Sequence, residues 1–271
     1  MGEHADKHSK KVKHINTLRK GDHDLVTLVI PGMPGIINGY FELARAIPGT
    51  GVVYGLQMKG LMGEEVLTNV KEMATHNIKL IRSIPSVKRI AIYAHSFGGT
   101  VAYEMLKQLK EEPYEVIHLV MIETFPLKKQ AGLMKDFIIE FMKGLLSRET
   151  TDWPTTEKHI RQIADHPREK WPELYSQLIK DTVTECRQEF ILILWNICER
   201  SLSATYQYSD RLEYAPTLII AENQVGNSSQ LEPTDWEDKF RDVRVLRSGG
   251  DHFTAVKEPH CSEWLSKLHY A

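Results

Sequence analysis

Arg89-Ile90-Ala91-Ile92-Tyr93-Ala94-His95-Ser96-Phe97-Gly98-Gly99-Thr100 passes from a short apolar run, through two glycines, into a helical pattern. Consecutive apolar residues suit a strand buried on both faces, and small residues after them suit a sharp turn. A serine held on such a strand-to-helix turn projects its hydroxyl above the sheet edge from a strained backbone. The positions two before and two after it approach other backbone so closely that only small side chains fit, and here they are Ala94 and Gly98.

Working outward, runs of the same kind recur at 25–30, 52–55, 116–122, 217–221 and 243–246. Helical patterns lie between them at 40–46, 64–83, 99–111 and 258–268. Alternating β and α segments predict an α/β fold with a doubly wound, mostly parallel sheet. Residues 128–209 break the alternation with helical periodicity alone and hold Phe137, Phe141, Trp153, Trp171, Tyr175, Trp195 and Tyr206. An insertion between two strands at the active edge sits over that edge, so this segment is expected to form a helical lid lined with aromatic side chains. The expected organisation is a tail over 1–24, a core over 25–127, the lid over 128–209 and the rest of the core over 210–271.

Thirty-four Lys+Arg against thirty-six Asp+Glu leave no basic footprint for a phosphate backbone, so nucleic acid is not an expected partner. Lys7, Lys10, Lys11 and Lys13 read as a solvated terminal segment. No apolar run approaches the roughly eighteen residues of a membrane span, residues 1–24 lack the apolar core of a signal peptide, and Asp6 stands where a myristoylation signal wants Ser or Thr. The expected location is the cytoplasm. Cys186, Cys198 and Cys261 lack C-x-x-C spacing, which points to small buried residues rather than a disulfide framework or a zinc site. Gly32-x-x-Gly35 and Gly98-Gly99 match no nucleotide-binding pattern, so neither a nucleotide nor a metal is implied.

A serine hydroxyl needs a base to take its proton and a third group to orient that base. Of twelve histidines, His252 follows the run 243–246 and precedes the last helical pattern, which is where this architecture carries its base. His95 adjoins Ser96 but points away on that turn and is expected to pack beside it; His118 lies within a strand run and His260 within the last helix. For the acid, Glu123 and Glu222 each end a strand run at the edge where Ser96 emerges, with Asp235 and Asp251 as weaker candidates. Negative charge on a tetrahedral oxygen needs two backbone donors. Phe97 is one, and the turn Pro31-Gly32-Met33-Pro34-Gly35 offers Gly32 or Met33 as the other, since proline has no N–H.

Several segments, in order, resemble the thioesterase domains that end non-ribosomal peptide, polyketide and fatty acid synthases, which have the α/β-hydrolase fold. They are Ile30-Pro31-Gly32-Met33-Pro34-Gly35 with Tyr40-Phe41-Glu42-Leu43-Ala44, then Val53-Tyr54-Gly55-Leu56-Gln57 with Gly60-Leu61-Met62-Gly63-Glu64. Ala94-His95-Ser96-Phe97-Gly98-Gly99-Thr100-Val101-Ala102-Tyr103-Glu104-Met105 and Gly250-Asp251-His252-Phe253 with Glu258-Pro259-His260 complete the series. The resemblance implies an acyl-Ser96 intermediate, formed from a phosphopantetheine thioester on an acyl or peptidyl carrier protein and discharged by water or by a nucleophile on the chain. It implies no cofactor of the protein's own. It favours Glu123 as the acid, as in synthase-terminal members, whereas Glu222 would match stand-alone editing members, and it favours Met33 as the second oxyanion donor. The sequence departs from the family pattern in three places: Glu instead of Asp at the acid, Pro31-Gly32 instead of His-Pro in the oxyanion turn, and Ala94 instead of the first elbow glycine.

Overall fold

The apolar runs become the strands of one sheet. The computed structural model describes residues 14–204, 206–223, 232 and 234–268. Its strands are β1 (Ile15–Arg19), β2 (Asp22–Ile30), β3 (Gly51–Leu56), β4 (Arg89–His95), β5 (Glu115–Ile122), β6 (Thr217–Ala221) and β7 (Arg244–Ser248). They lie in the order β1-β3-β2-β4-β5-β6-β7, all neighbours parallel except β1 against β3. The helices are α1 (Phe41–Ala46), α2 (Val70–Arg82), α3 (Phe97–Leu109), α4 (Leu127–Leu146), α5 (Trp153–Ala164), α6 (Trp171–Thr182), α7 (Glu185–Leu202), α8 (Thr234–Glu237) and α9 (His260–Leu265).

Alternate side chains on each strand feed two apolar layers, as the two-residue period of a strand requires. Leu28, Ile30, Ile90 and Ile92 pack with Ile78 and Ile81 of α2 and with Val101, Met105 and Leu106 of α3. Val29, Ala91, Tyr93 and Ile122 face the other way, against Leu43 and Ala44 of α1 and Trp264 and Leu265 of α9. Burying each such aliphatic side chain contributes roughly 1.5–3 kcal/mol. Burial on both faces is why these strands read as unbroken apolar runs.

β1 lies inside the segment expected as a tail. As a partly exposed edge strand it mixes polar and apolar residues and carries no continuous run to detect. β2 likewise begins at Asp22, three residues early, because its first half is partly exposed. The helix expected over 64–83 starts only at Val70, where the Asn69 side chain caps it by accepting from the Lys71 amide at 2.8 Å. The last helix is shorter than 258–268 and begins after Pro259. The basic residues Lys7 to Lys13 fall outside the described residues.

Helices α4 to α7 form the insertion, with their own core that includes Ile138, Met142, Tyr175, Ile179 and Trp195. Most of its aromatics hold the helices to one another, as Tyr175 does by meeting Trp171 and Trp195 edge-on. Met33, Ile36 and Leu61, from loops of the sheet domain, pack against this core and join the two parts. Tyr206, expected in the lid, instead lies beyond α7, buried against Tyr103 of α3 and Tyr208. Of the cysteines, Cys198 and Cys261 are buried, but Cys186 is exposed on the first turn of α7. No helix among the described residues is long and apolar enough to cross a membrane.

Tyr206 donates its hydroxyl proton to Glu104, a carboxylate only 4% exposed, which also accepts from Gln108 at 2.9 Å. Removing one donor from a buried charged acceptor costs about 1–3 kcal/mol. Tyr206→Phe should therefore lower the urea midpoint by that equivalent with an unchanged m-value, and an unaltered midpoint would show that this bond does not secure the lid's return to α3.

Candidate active site

Register brings the site together. Ile30 of β2 pairs with Ala94 of β4, and His95 of β4 pairs with Ile122 of β5, so the chain leaves all three strands at one level. From β2 the chain goes to β3 on one side, whereas β4 lies on the other. Sheets of this kind form their ligand crevice at that switch point, at the carboxyl ends of the strands.

Ser96 sits there at φ 53°, ψ −128°, as the N-cap of α3, where a side chain other than glycine's is strained. Its amide donates to the Ile122 carbonyl at 2.9 Å and its own carbonyl accepts from the Gly99 amide at 3.0 Å. A Cβ on Gly98 would come within 2.5 Å of the Ile30 carbonyl oxygen and 2.6 Å of that of Pro31; one on Gly99 would meet Thr124 at 2.2 Å. Both glycines are thus required by close approach. Ala94, fully buried, fits its position.

Ser96 Oγ lies 3.0 Å from His252 Nε2, and His252 Nδ1 lies 3.4 Å from Glu123 Oε2. Glu123 is 1% exposed and left-handed at φ 47°. Its other oxygen accepts from the Ala221 amide at 2.6 Å, and its own amide donates to the Ile219 carbonyl at 2.9 Å, so the carboxylate is anchored by β6. Glu222 directly follows β6 and is exposed to solvent, its amide donating to the Ser248 carbonyl. The carboxylate that meets His252 is that of Glu123. Asp251 Oδ1 instead accepts from the Phe253 and Thr254 amides, both at 2.9 Å, and shapes the loop that carries His252; Asp235 accepts from the Glu232 amide at the start of α8.

The Gly32 amide is committed to Tyr40 Oη at 2.9 Å, and no bond among the described residues takes the amide of Met33. Phe97 opens α3, where first-turn amides have no partner within the helix. A cavity of about 130 Å³ opens over these groups, lined by Gly32, Met33, Tyr40, His95, Ser96, Phe137, His252 and Phe253 among others. The lid contributes Phe137, edge-on to His252 at 6.2 Å and stacked on Phe141.

His95 is more than the packed neighbour expected. Its ring lies 5.1 Å from that of His252, its Nδ1 is 2.7 Å from Tyr40 Oη, and its Nε2 is 2.8 Å from the His252 carbonyl oxygen. Burial first, then the neighbouring His252, pushes its pKa down to about 3. Sequence reasoning missed Tyr40 as part of the site. The partners stand 55 and 157 residues apart from His95, and no local pattern connects them. His118 lies in β5 and His260 opens α9, as expected.

A doubly wound parallel sheet with a strained serine at a strand-to-helix turn, facing a histidine backed by a carboxylate, defines an α/β-hydrolase. Within that class the chain belongs to the thioesterase domain family, whose sequence profile matches residues 28–270. It is 30% identical over 98 residues to the polyketide synthase PksR of Bacillus subtilis (strain 168), covering 35% of this chain and 4% of that protein. With the indigoidine synthase of Dickeya dadantii (strain 3937) it shares 23% identity over 263 residues, covering 89% of this chain and 16% of that protein. The chain therefore spans a small fraction of either relative's length. Among solved structures, the Vlm2 thioesterase domain bound with a dodecadepsipeptide superposes with a TM-score of 0.64 at 19% identity, over 94% of this chain and 96% of that one.

A Cβ on Gly32 would stand 2.8 Å from Ser96 Cβ and 3.3 Å from His95 Nδ1. Gly32→Ala should reduce turnover by about a hundredfold, as displacement of reacting groups by about 1 Å does, with a far smaller fall in melting temperature; wild-type turnover would refute the crowding. Acid acts on the same site through His95. Between pH 6.5, the ordinary histidine value, and about 3, the unfolded chain binds a proton that folded His95 refuses. This contribution to stability is whole above pH 6.5 and declines as pH falls, by up to about 1.4 kcal/mol per pH unit. Urea titrations at pH 7, 6 and 5 should show a shallower decline in His95→Gln than in wild type, and equal slopes would refute the assignment.

Proposed function

We propose that this chain is a serine thioesterase that releases an acyl or peptidyl chain from the phosphopantetheine of a carrier protein, through an acyl-Ser96 intermediate. The observation that carries the reading is the row from Ser96 Oγ to His252 Nε2 at 3.0 Å and from His252 Nδ1 to Glu123 Oε2 at 3.4 Å. Separations somewhat longer than a tight hydrogen bond are ordinary before substrate closes such a site. The thioester substrate is supported by the family match, and the carrier-bound form by relatives whose names describe polyketide and non-ribosomal peptide synthases.

In this reading Ser96 Oγ attacks the thioester carbonyl while His252 Nε2 takes its proton. Glu123 holds the ring and balances the imidazolium that forms. The Phe97 and Met33 amides donate to the tetrahedral oxygen, each worth about a hundredfold or more in rate. Collapse breaks the C–S bond, and His252 gives its proton to the departing thiolate. Water, or a hydroxyl or amine on the chain, then enters by the reverse assignment: His252 takes its proton, the ester bond to Ser96 breaks, and Ser96 Oγ recovers a hydrogen. A glutamate can stand at the acid position because the left-handed backbone at Glu123 and the Ala221 amide set where its carboxylate lies.

Intact-mass spectrometry after a serine-directed fluorophosphonate should give a single adduct on wild type and none on Ser96→Ala. No adduct on folded wild type would sink the reading and favour a non-catalytic acyl-binding module on this scaffold. Glu123→Ala should lower kcat by several orders of magnitude and Glu222→Ala by less than about threefold; the reverse ranking would transfer the acid to Glu222.

A further inference from the structure

Three buried hydrogen bonds run in series across the floor of the site, from the Gly32 amide to Tyr40 Oη (2.9 Å), from Tyr40 Oη to His95 Nδ1 (2.7 Å), and from His95 Nε2 to the His252 carbonyl oxygen (2.8 Å). Their direction is forced from one end. A carbonyl oxygen only accepts, so His95 Nε2 carries a hydrogen. The ring is neutral, its pKa pushed down to about 3 by burial and by the nearby His252, so Nδ1 is a lone pair. Tyr40 therefore donates its single proton to Nδ1, and its oxygen accepts from Gly32. Every group has one role, and none can reverse without placing two donors or two acceptors face to face.

The series joins two loops that no sheet contact connects. Gly32 follows β2, His252 follows β7, and three strands lie between those two in the sheet. One end precedes Met33, the proposed oxyanion donor; the other is the backbone of the residue whose ring meets Ser96.

We propose that Tyr40 and His95 are positioning residues that hold the oxyanion turn and the His252 loop in one register over Ser96, so that donor and base reach the same acyl carbon together. The proposal rests on the thioesterase reading above. It assigns the residue before the nucleophile a task that uses both ring nitrogens, which an apolar residue of similar size could not perform. It also gives Tyr40 a role beyond packing: its buried hydroxyl bridges the Gly32 amide and the His95 ring.

The test compares Tyr40→Phe, His95→Leu and His95→Gln with wild type, using an acyl thioester of N-acetylcysteamine for kcat and KM, a fluorophosphonate for the rate of labelling Ser96, and thermal melts for folded fraction. Tyr40→Phe keeps the ring and removes one oxygen; His95→Gln keeps an amide N–H to offer the His252 carbonyl. Expected are losses in kcat of about tenfold for Tyr40→Phe and about a hundredfold for His95→Leu, with KM within about twofold and labelling slowed in parallel, and recovery of most of the loss in His95→Gln. Wild-type kcat in the first two variants, a loss explained wholly by a smaller folded fraction, or a glutamine variant no better than the leucine would each overturn the proposal. A wild type that the fluorophosphonate leaves unlabelled would instead overturn the thioesterase reading itself, so the two failures are distinct.

Discussion

Everything at the active edge depends on holding Ser96 in a backbone conformation that its side chain disfavours. Such a residue costs of order 1–3 kcal/mol and persists only where its surroundings over-determine it. Here they do: the amide is tied to β5, the carbonyl is taken by the first turn of α3, and the flanking glycines let the elbow lie against the β2 and β5 ends. The same placement puts the Phe97 amide at the open end of a helix of thirteen residues, where a developing negative charge is favoured.

A second left-handed residue, Glu123, answers the first across the β4 and β5 ends. Ser96 donates its amide to the last residue of β5, and Glu123 donates its own to β6, so each strained residue is hooked to the next strand of the sheet. The left-handed backbone at Glu123 sets the direction in which its side chain leaves the end of β5. The fixed point is the carboxylate itself, held between the Ala221 amide and the His252 ring.

The lid is built on a different principle. Its helices carry their own apolar core and touch the sheet domain through few residues, among them Met33 and Leu61 below and Phe137 above. Met33 serves two surfaces at once, since it packs against the lid core and also lines the cavity. Met33 thus joins the lid core to the proposed oxyanion turn.

The sheet, the elbow serine and the histidine were legible in the sequence because each leaves a local trace: apolar runs for strands buried on both faces, small residues where backbones nearly touch, and a histidine after the last strand. The edge strand β1 left none, because it is partly exposed and mixes polar with apolar residues. The choice between Glu123 and Glu222 could not be made from the residues alone, since both end strands at the same edge; which carboxylate turns inward is decided by backbone direction and by the neighbouring strand's amide. Between Gly32 and Met33 the difference is likewise tertiary: the Gly32 amide is taken by Tyr40, which leaves Met33 as the proposed donor. The linkage through Tyr40 and His95 was invisible for the same reason. Local patterns report what a residue needs from its near neighbours in sequence, while a hydrogen bond between residues 157 apart exists only once the strands are in register.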